Sequence, residues 1–310
     1  MVDTAFVLSS GHSGSTLLDL LIGSHPEAMS LGEVTYLPRS FVRGAVCTCG
    51  APVPQCEFWT GVMGELAGLL GIDLLRDPYA LDLGMMLASH HVDAGKQTPA
   101  YVARWKLIHG LAILEYRYGI GALRSLTRRL RAAALNNHRL FDVVRRRSGA
   151  RLVVDSSKAY VKGLALYHAK PEKVRLILSS RDGRGVLQSR LKRGVPRQRA
   201  LAIWRSYYER TLALIQRSVP PEHVFRIRYE DLTGDPQAEL HRLCEFLGLP
   251  FHADMLNFAA KVHHMPEGND MRLGSAAIRA DNAWQAVLAQ DDLDYFEAAC
   301  GDLNRRLGYR

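Results

Sequence analysis

The sequence predicts an α/β fold of three layers, a mostly parallel sheet between helices, interrupted by a helical insertion. Three observations carry that expectation. Short apolar runs at 5–8, 151–154, 174–178 and 224–232 recur between helix-like segments, the alternation from which parallel sheets are built. The first run empties into a loop of glycines and small residues before a leucine-rich helix. And 310 residues, 47% hydrophobic and 23% charged, suffice for one large core of ordinary soluble composition. We therefore expect one domain over 1–310, with the insertion at about 60–147.

The loop after the first run is Ser9-Ser10-Gly11-His12-Ser13-Gly14-Ser15-Thr16, followed by Leu17, Leu18, Leu20, Leu21 and Ile22. A strand, a glycine-rich turn and a helix start form an anion cradle, because unpaired N–H groups and the helix dipole point at one spot. Ser13, Ser15 and Thr16 add hydroxyl donors. An ordinary strand-to-helix turn has the same composition, so this loop alone does not decide the matter. Its P-loop-like shape lacks one Walker A feature: Ser15 stands where the phosphate-reaching lysine would be. That speaks against ATP or GTP cleavage, although a P-loop-type small-molecule kinase stays an alternative.

Along the chain, His25-Pro26 ends the first helix, and residues 28–33 read as a short extended segment closing on Glu33. Apolar residues from Leu66 to Leu75 and from Tyr101 to Tyr118 suggest helices in the insertion. Residues 124–147 hold eight arginines, read as a solvated helical face rather than a docking surface for an anion. After the strand at 151–154 comes Asp155-Ser156-Ser157-Lys158. The strand at 174–178 runs into Ser179-Ser180-Arg181, where an arginine at a strand end can fork onto a phosphate. Ser189 falls about two helical turns later. A long helix covers 198–217. Asp235-Pro236 reads as N-cap and first residue of another helix, which Gly248 closes.

These segments resemble sulfotransferases that use 3′-phosphoadenosine 5′-phosphosulfate. Residues 12–17 are similar to that family's 5′-phosphosulfate loop, [RK]-S-G-[ST]-[ST]-L, with His12 in place of the usual cation. Arg181-Asp182-Gly183-Arg184 through Ser189 resembles its 3′-phosphate segment, R-D-x-R-x-x-x-x-S. Residues 229–232 match a Y-E-D-L common in the family. Residues 268–284 resemble the bacterial G-N-P-M-R…W segment, with Asp270 replacing proline. Gly32-Glu33 resembles the segment that carries the base in the tyrosylprotein branch. The resemblance spans residues 5 to about 285, apart from the insertion.

It implies a nucleoside-kinase-like fold and transfer of a sulfuryl group to an acceptor hydroxyl, or less readily an amine. The acceptor, a carbohydrate, lipid, small metabolite or tyrosine, is not named by the sequence. Glu33 would take the acceptor proton, and Lys158 would stabilise charge on the bridging and sulfuryl oxygens. Gly11, His12, Ser13, Gly14, Ser15 and Thr16 would hold the 5′ phosphosulfate, and Arg181 and Ser189 the 3′ phosphate. Ser275 is a further candidate for the sulfuryl oxygens and Arg279 for a phosphate. His90, His91 and His109 are rival bases. No metal is expected in the reaction, since side-chain cations can supply the counter-charge.

Net charge is +9, which suits an anionic partner. A non-catalytic nucleic-acid binder is the other class this leaves open, although no nucleic acid is expected. No run of about 18 apolar residues occurs, so no membrane span is expected. The chain enters a strand within a few residues, leaving no room for a signal peptide, so a cytoplasmic location is the expectation. Cys47, Cys49, Cys56, Cys244 and Cys300 are odd in number, which speaks against a disulfide framework. The first three lack paired zinc spacing and have no nearby histidine, so a reduced, packed loop is the favoured reading over a metal site.

Overall fold

The structure, a computed structural model, describes residues 1–84, 99–268, 270–273 and 278–310. Its sheet runs β2-β3-β1-β4-β5, every pairing parallel. The strands are β1 (Thr4–Leu8), β2 (Ala28–Ser30), β3 (Leu152–Asp155), β4 (Val174–Ser180) and β5 (Val224–Arg228). β1 is central: Thr4 lies level with Val153 on one side and Val174 on the other.

The apolar runs are unbroken because both sheet faces are covered. Phe6, Leu8, Val153, Leu176 and Leu178 enter one buried cluster, whereas Ala5, Val7, Leu152, Val154 and Ile177 enter the other. Helices α1 (Ser15–Gly23), α9 (Tyr229–Gly234) and α10 (Pro236–Leu247) join the second cluster. The first cluster is shared by the remaining long helices. These are α3 (Glu57–Leu70), α4 (Pro99–Tyr118), α5 (Arg128–Ser148), α6 (Tyr160–Ala169), α7 (Gly183–Leu191), α8 (Arg197–Ser218) and α12 (Gln290–Arg306). Short α2 (Leu37–Arg43) and α11 (Trp284–Val287) complete the set used below. α6 comes so close to β1 that a Cβ on Gly163 would lie 2.6 Å from the Phe6 ring.

Local signals hold at several ends. Asp235 accepts from the Ala238 N–H as the α10 N-cap, and Gly248 closes that helix in the left-handed region. Two segments differ from expectation. The first insertion helix stops at Gly71, whose φ of 65° breaks it, leaving Ile72, Leu74 and Leu75 outside. β5 ends at Arg228, and Tyr229 opens a helix instead of extending the strand.

The arginine-rich stretch is α5 and its approach. Its apolar stripe of Leu130, Ala133, Ala134, Leu140, Phe141, Val143 and Val144 is buried. Arg129 pairs with Asp82, Arg131 with Glu115, Arg145 with Asp3 and Asp142, and Arg146 with Glu65. Among the described residues no helix is long and apolar enough to cross a membrane.

Candidate active site

In a parallel sheet ligands gather beyond the strands' carboxyl ends, where the strand order reverses. Here β1, β2, β3 and β4 deliver Ser9–Gly14, Leu31–Glu33, Ser156–Lys158 and Arg181 to that edge.

The loop after β1 is held open. Among the described residues no backbone acceptor meets the N–H groups of Gly11 to Thr16; the first helical bond is Leu18 N–H to the Gly14 carbonyl. Those orphan donors are what an anion would satisfy. Gly14 has φ 77°, and a Cβ there would lie 2.3 Å from the Tyr229 ring, so both backbone and packing demand glycine. Tyr208 on α8 anchors the loop. Its hydroxyl donates to the Ser179 carbonyl at 2.8 Å, accepts from Ser10 N–H at 3.4 Å and lies 3.2 Å from Ser13 Oγ.

His12 and Lys158 are the two non-glycine residues with left-handed backbone among the described residues, φ 71° and 65°. Such conformations cost on the order of 1–3 kcal/mol and persist where the surroundings impose them. Lys158 Nζ donates to Glu33 Oε1 at 2.7 Å, each side chain about four-fifths buried. Beneath them lies a wholly buried pair, Lys162 Nζ to Asp155 Oδ2 at 2.8 Å, and Asp155 Oδ1 also accepts the Ser157 N–H. Tyr207 on α8 donates to the Lys158 carbonyl at 2.6 Å.

Arg181 and Ser189 meet the loop from β4 and α7. Ser189 Oγ lies 3.2 Å from His12 Nδ1, and Arg181 donates to the His12 carbonyl at 3.4 Å. Arg181 also lies over the Tyr229 ring and pairs with Asp281, 3.0 Å away. Desolvation works against that carboxylate, but the Arg181 hydrogen bond and charge hold Asp281 below the usual range. The segment carrying it folds back: Tyr229 donates to the Arg279 carbonyl, and Trp284 covers the Arg184 guanidinium.

Sequence reasoning missed Arg190. It is 9% exposed, no carboxylate pairs with it among the described residues, and its Nε is buried without a partner. A Cβ on Gly11 would sit 3.5 Å from its Nη2. Burial and the neighbouring Arg193 lower its pKa. The one available signal was its position directly after Ser189; which way a helical arginine points is decided by packing. It is one of four cations that act on His12. Burial first, then the charges of Arg190, Arg193, Lys158 and Arg181, press the imidazole down to about 4. His12 in the free protein is therefore neutral near pH 7.

Other candidates lie elsewhere. Arg279 is exposed and takes part here through its carbonyl. Ser275, His90 and His91 lie outside the described residues. His109 packs edge-on against Trp105, with Nε2 buried and unpartnered among the described residues, and burial lowers its pKa to about 4.

Residues 112–253 match the family model described as "Sulfotransferase family". The matched stretch, a little under half of the chain, is similar to the sulfotransferase family. Carbohydrate sulfotransferase 1 of Danio rerio is 27% identical over 164 residues, 44% of this chain and 38% of that protein. Carbohydrate sulfotransferase 2 of Homo sapiens is 34% identical over 100 residues, 29% of this chain and 18% of that protein. The chain thus aligns with well under half the length of these curated relatives. The sulfotransferase domain from the curacin biosynthetic pathway superposes with a TM-score of 0.51 at 16% identity, covering 100% of this chain and 99% of that one. That likeness establishes the shared sulfotransferase fold.

Proposed function

We propose that the protein transfers the sulfuryl group of 3′-phosphoadenosine 5′-phosphosulfate to an acceptor hydroxyl. The observation that carries this reading is the buried Arg190 guanidinium, without a carboxylate partner among the described residues, against a loop whose N–H groups are likewise unpaired among them. A buried charge left alone is strongly unfavourable, so this site is built for an anion. Gly11 to Thr16 and Arg190 would bind the 5′ phosphosulfate, and Arg181 and Ser189 the 3′ phosphate, with Asp281 giving up its hold on Arg181.

In the transfer, the acceptor oxygen forms a bond to sulfur as the bond from sulfur to the 5′-phosphate oxygen breaks, leaving 3′,5′-diphosphoadenosine. Glu33 takes the acceptor proton. Lys158, now shared with Glu33, turns to the departing oxygen. Positioning and charge stabilisation supply most of the acceleration in such in-line transfers. In this reading side-chain cations provide the counter-charge, the α3–α5 helices wall the acceptor side, and the whole chain works as one domain. The names of the relatives make carbohydrate hydroxyls the first acceptors to test.

The test compares nucleotides by thermal shift and then assays transfer. 3′,5′-diphosphoadenosine should stabilise the protein well beyond 5′-AMP or ATP with magnesium; a ligand at 100 times its Kd adds about 2.7 kcal/mol. Equal shifts from 5′-AMP and the diphosphate would remove Arg181 and Ser189 from the 3′ site. Glu33→Gln should cut turnover about 100-fold or more with diphosphate binding unchanged. Normal turnover by that variant would move the base elsewhere.

A further inference from the structure

Cys47, Cys49 and Cys56 lie far from any histidine in sequence, but the fold brings His264 to them across 208 residues. The three sulfurs and an imidazole nitrogen all lie within 4.8 Å of one another. Cys49 Sγ is 3.6 Å from Cys56 Sγ, and His264 Nδ1 is 3.4 Å from Cys56 Sγ and 4.0 Å from Cys47 Sγ. Zinc–sulfur bonds of about 2.3 Å in a tetrahedron place two sulfurs roughly 3.8 Å apart, so the spacing is that of a ligand shell. A disulfide would need about 2.05 Å.

The backbone is shaped to converge these groups. The Cys47 N–H donates to the Ala51 carbonyl and the Gly50 N–H to the Cys47 carbonyl, with Gly50 at φ 92°, so Cys47 and Cys49 share one tight turn. His264 is held independently: Phe58 stacks on its ring and Trp59 Nε1 donates to its carbonyl at 2.8 Å. Thr48 and Met265 bond each other both ways, Thr48 N–H to the Met265 carbonyl and Met265 N–H to Thr48 Oγ1. Arg272 donates to the Val46 and Met265 carbonyls, placing a cation beside a shell whose three thiolates exceed the charge of a divalent ion by one. Supports of this kind orient ligands and tune a metal.

We propose that Cys47, Cys49, Cys56 and His264 bind one structural zinc ion. Four protein ligands leave no open position, so the ion is structural and takes no part in the chemistry. It ties the 47–56 loop to residues 264–267. The latter reach the edge of the candidate active site: the Glu267 carbonyl accepts the Glu33 N–H, and the Glu267 carboxylate pairs with Arg39 at 2.8 Å. The metal thereby braces the backbone of Glu33 from behind. The zinc site itself stands or falls independently of sulfuryl transfer.

The experiment measures metal in the full chain, produced with zinc available and purified without chelator. One equivalent of zinc should survive dialysis. Cys49→Ser and His264→Ala should lose it, whereas Cys244→Ser, at a buried cysteine outside the cluster, should keep it. Because either ligand variant could fold poorly, the native protein provides a second measurement. A chelator should release one equivalent and lower Tm, and added zinc should restore it. Cobalt should replace zinc with the intense visible absorption of a tetrahedral thiolate site. A folded native protein that retains neither zinc nor cobalt, or that carries a Cys49–Cys56 disulfide by mass spectrometry, overturns the proposal. So does full zinc retention by Cys49→Ser.

Discussion

At the scale of single residues, the loop after β1 is faced by Arg190, which arrives from a helix. Arg190 supplies permanent charge, and burial together with the neighbouring cations keeps His12 neutral, its pKa at about 4 against 6.5 for a free imidazole. The sign of the pH effect follows. A bound anion favours protonated His12, raising its pKa in the complex, so binding takes up a proton between about 4 and that higher value. Affinity for 3′,5′-diphosphoadenosine should therefore strengthen as pH falls through that window and level off above it. Titration calorimetry in buffers of different ionisation heat would show fractional proton uptake. Arg190→Met should weaken the diphosphate more than 10-fold, the scale of a lost charged hydrogen bond of 1.5–3 kcal/mol. It should also raise the His12 pKa, visible by NMR. Unchanged affinity in Arg190→Met would mean the guanidinium does not face the donor.

At the scale of elements, the turn from β3 into α6 is where buried charge is used to hold a strained backbone. Asp155 and Lys162 satisfy each other, Asp155 fixes the Ser157 N–H, and Lys158 is left pointing out of the turn in left-handed conformation. Burial pulls the Lys162 pKa down while Asp155 pushes back. Lys162→Met should destabilise the protein by about 3–5 kcal/mol, because it strands the Asp155 charge. The double variant Asp155→Asn with Lys162→Met should recover much of that loss in urea unfolding. A Lys162→Met loss below about 1 kcal/mol would show that water reaches Asp155.

At the scale of the whole molecule, two buried carboxylates, Asp19 and Asp155, lie where α1, β3 and the site loops converge. Asp19 is fully buried and accepts from Ser156 Oγ at 2.7 Å, with its second oxygen unpartnered among the described residues. Desolvation, against its hydrogen bonds with Ser30 and Ser156, raises its pKa to about 7. Raised in the folded state, the group favours folding fully below the unfolded value near 3.8, and that contribution is lost as pH rises through about 7. Asp19→Asn should thus raise Tm relative to native more at about pH 8 than at about pH 5. The interval from 3.8 to about 7 caps the gain at about 4 kcal/mol, at 1.36 kcal/mol per pH unit. A difference independent of pH would place the Asp19 proton elsewhere.

Sequence by itself determined the layered α/β architecture, the open glycine-rich loop after β1 and the placement of Arg181 and Ser189 after β4, because each is written in neighbouring residues. An apolar run, a left-handed Gly14 or an N-cap such as Asp235 acts through contacts a few positions away, so local pattern is enough. Only the tertiary structure decided the remainder. Arg190 and Arg193 sit on and just past one helix, and packing alone turns Arg190 to the cradle. The neutrality of His12 is a sum of burial and four distant charges. Glu33 meets Lys158 across 125 residues and Cys56 meets His264 across 208. Neither spacing leaves a trace in local pattern, since such distances are set by how the sheet orders its strands. No histidine stands at ligand spacing beside the three cysteines in sequence; the fold brings His264 to them from far along the chain.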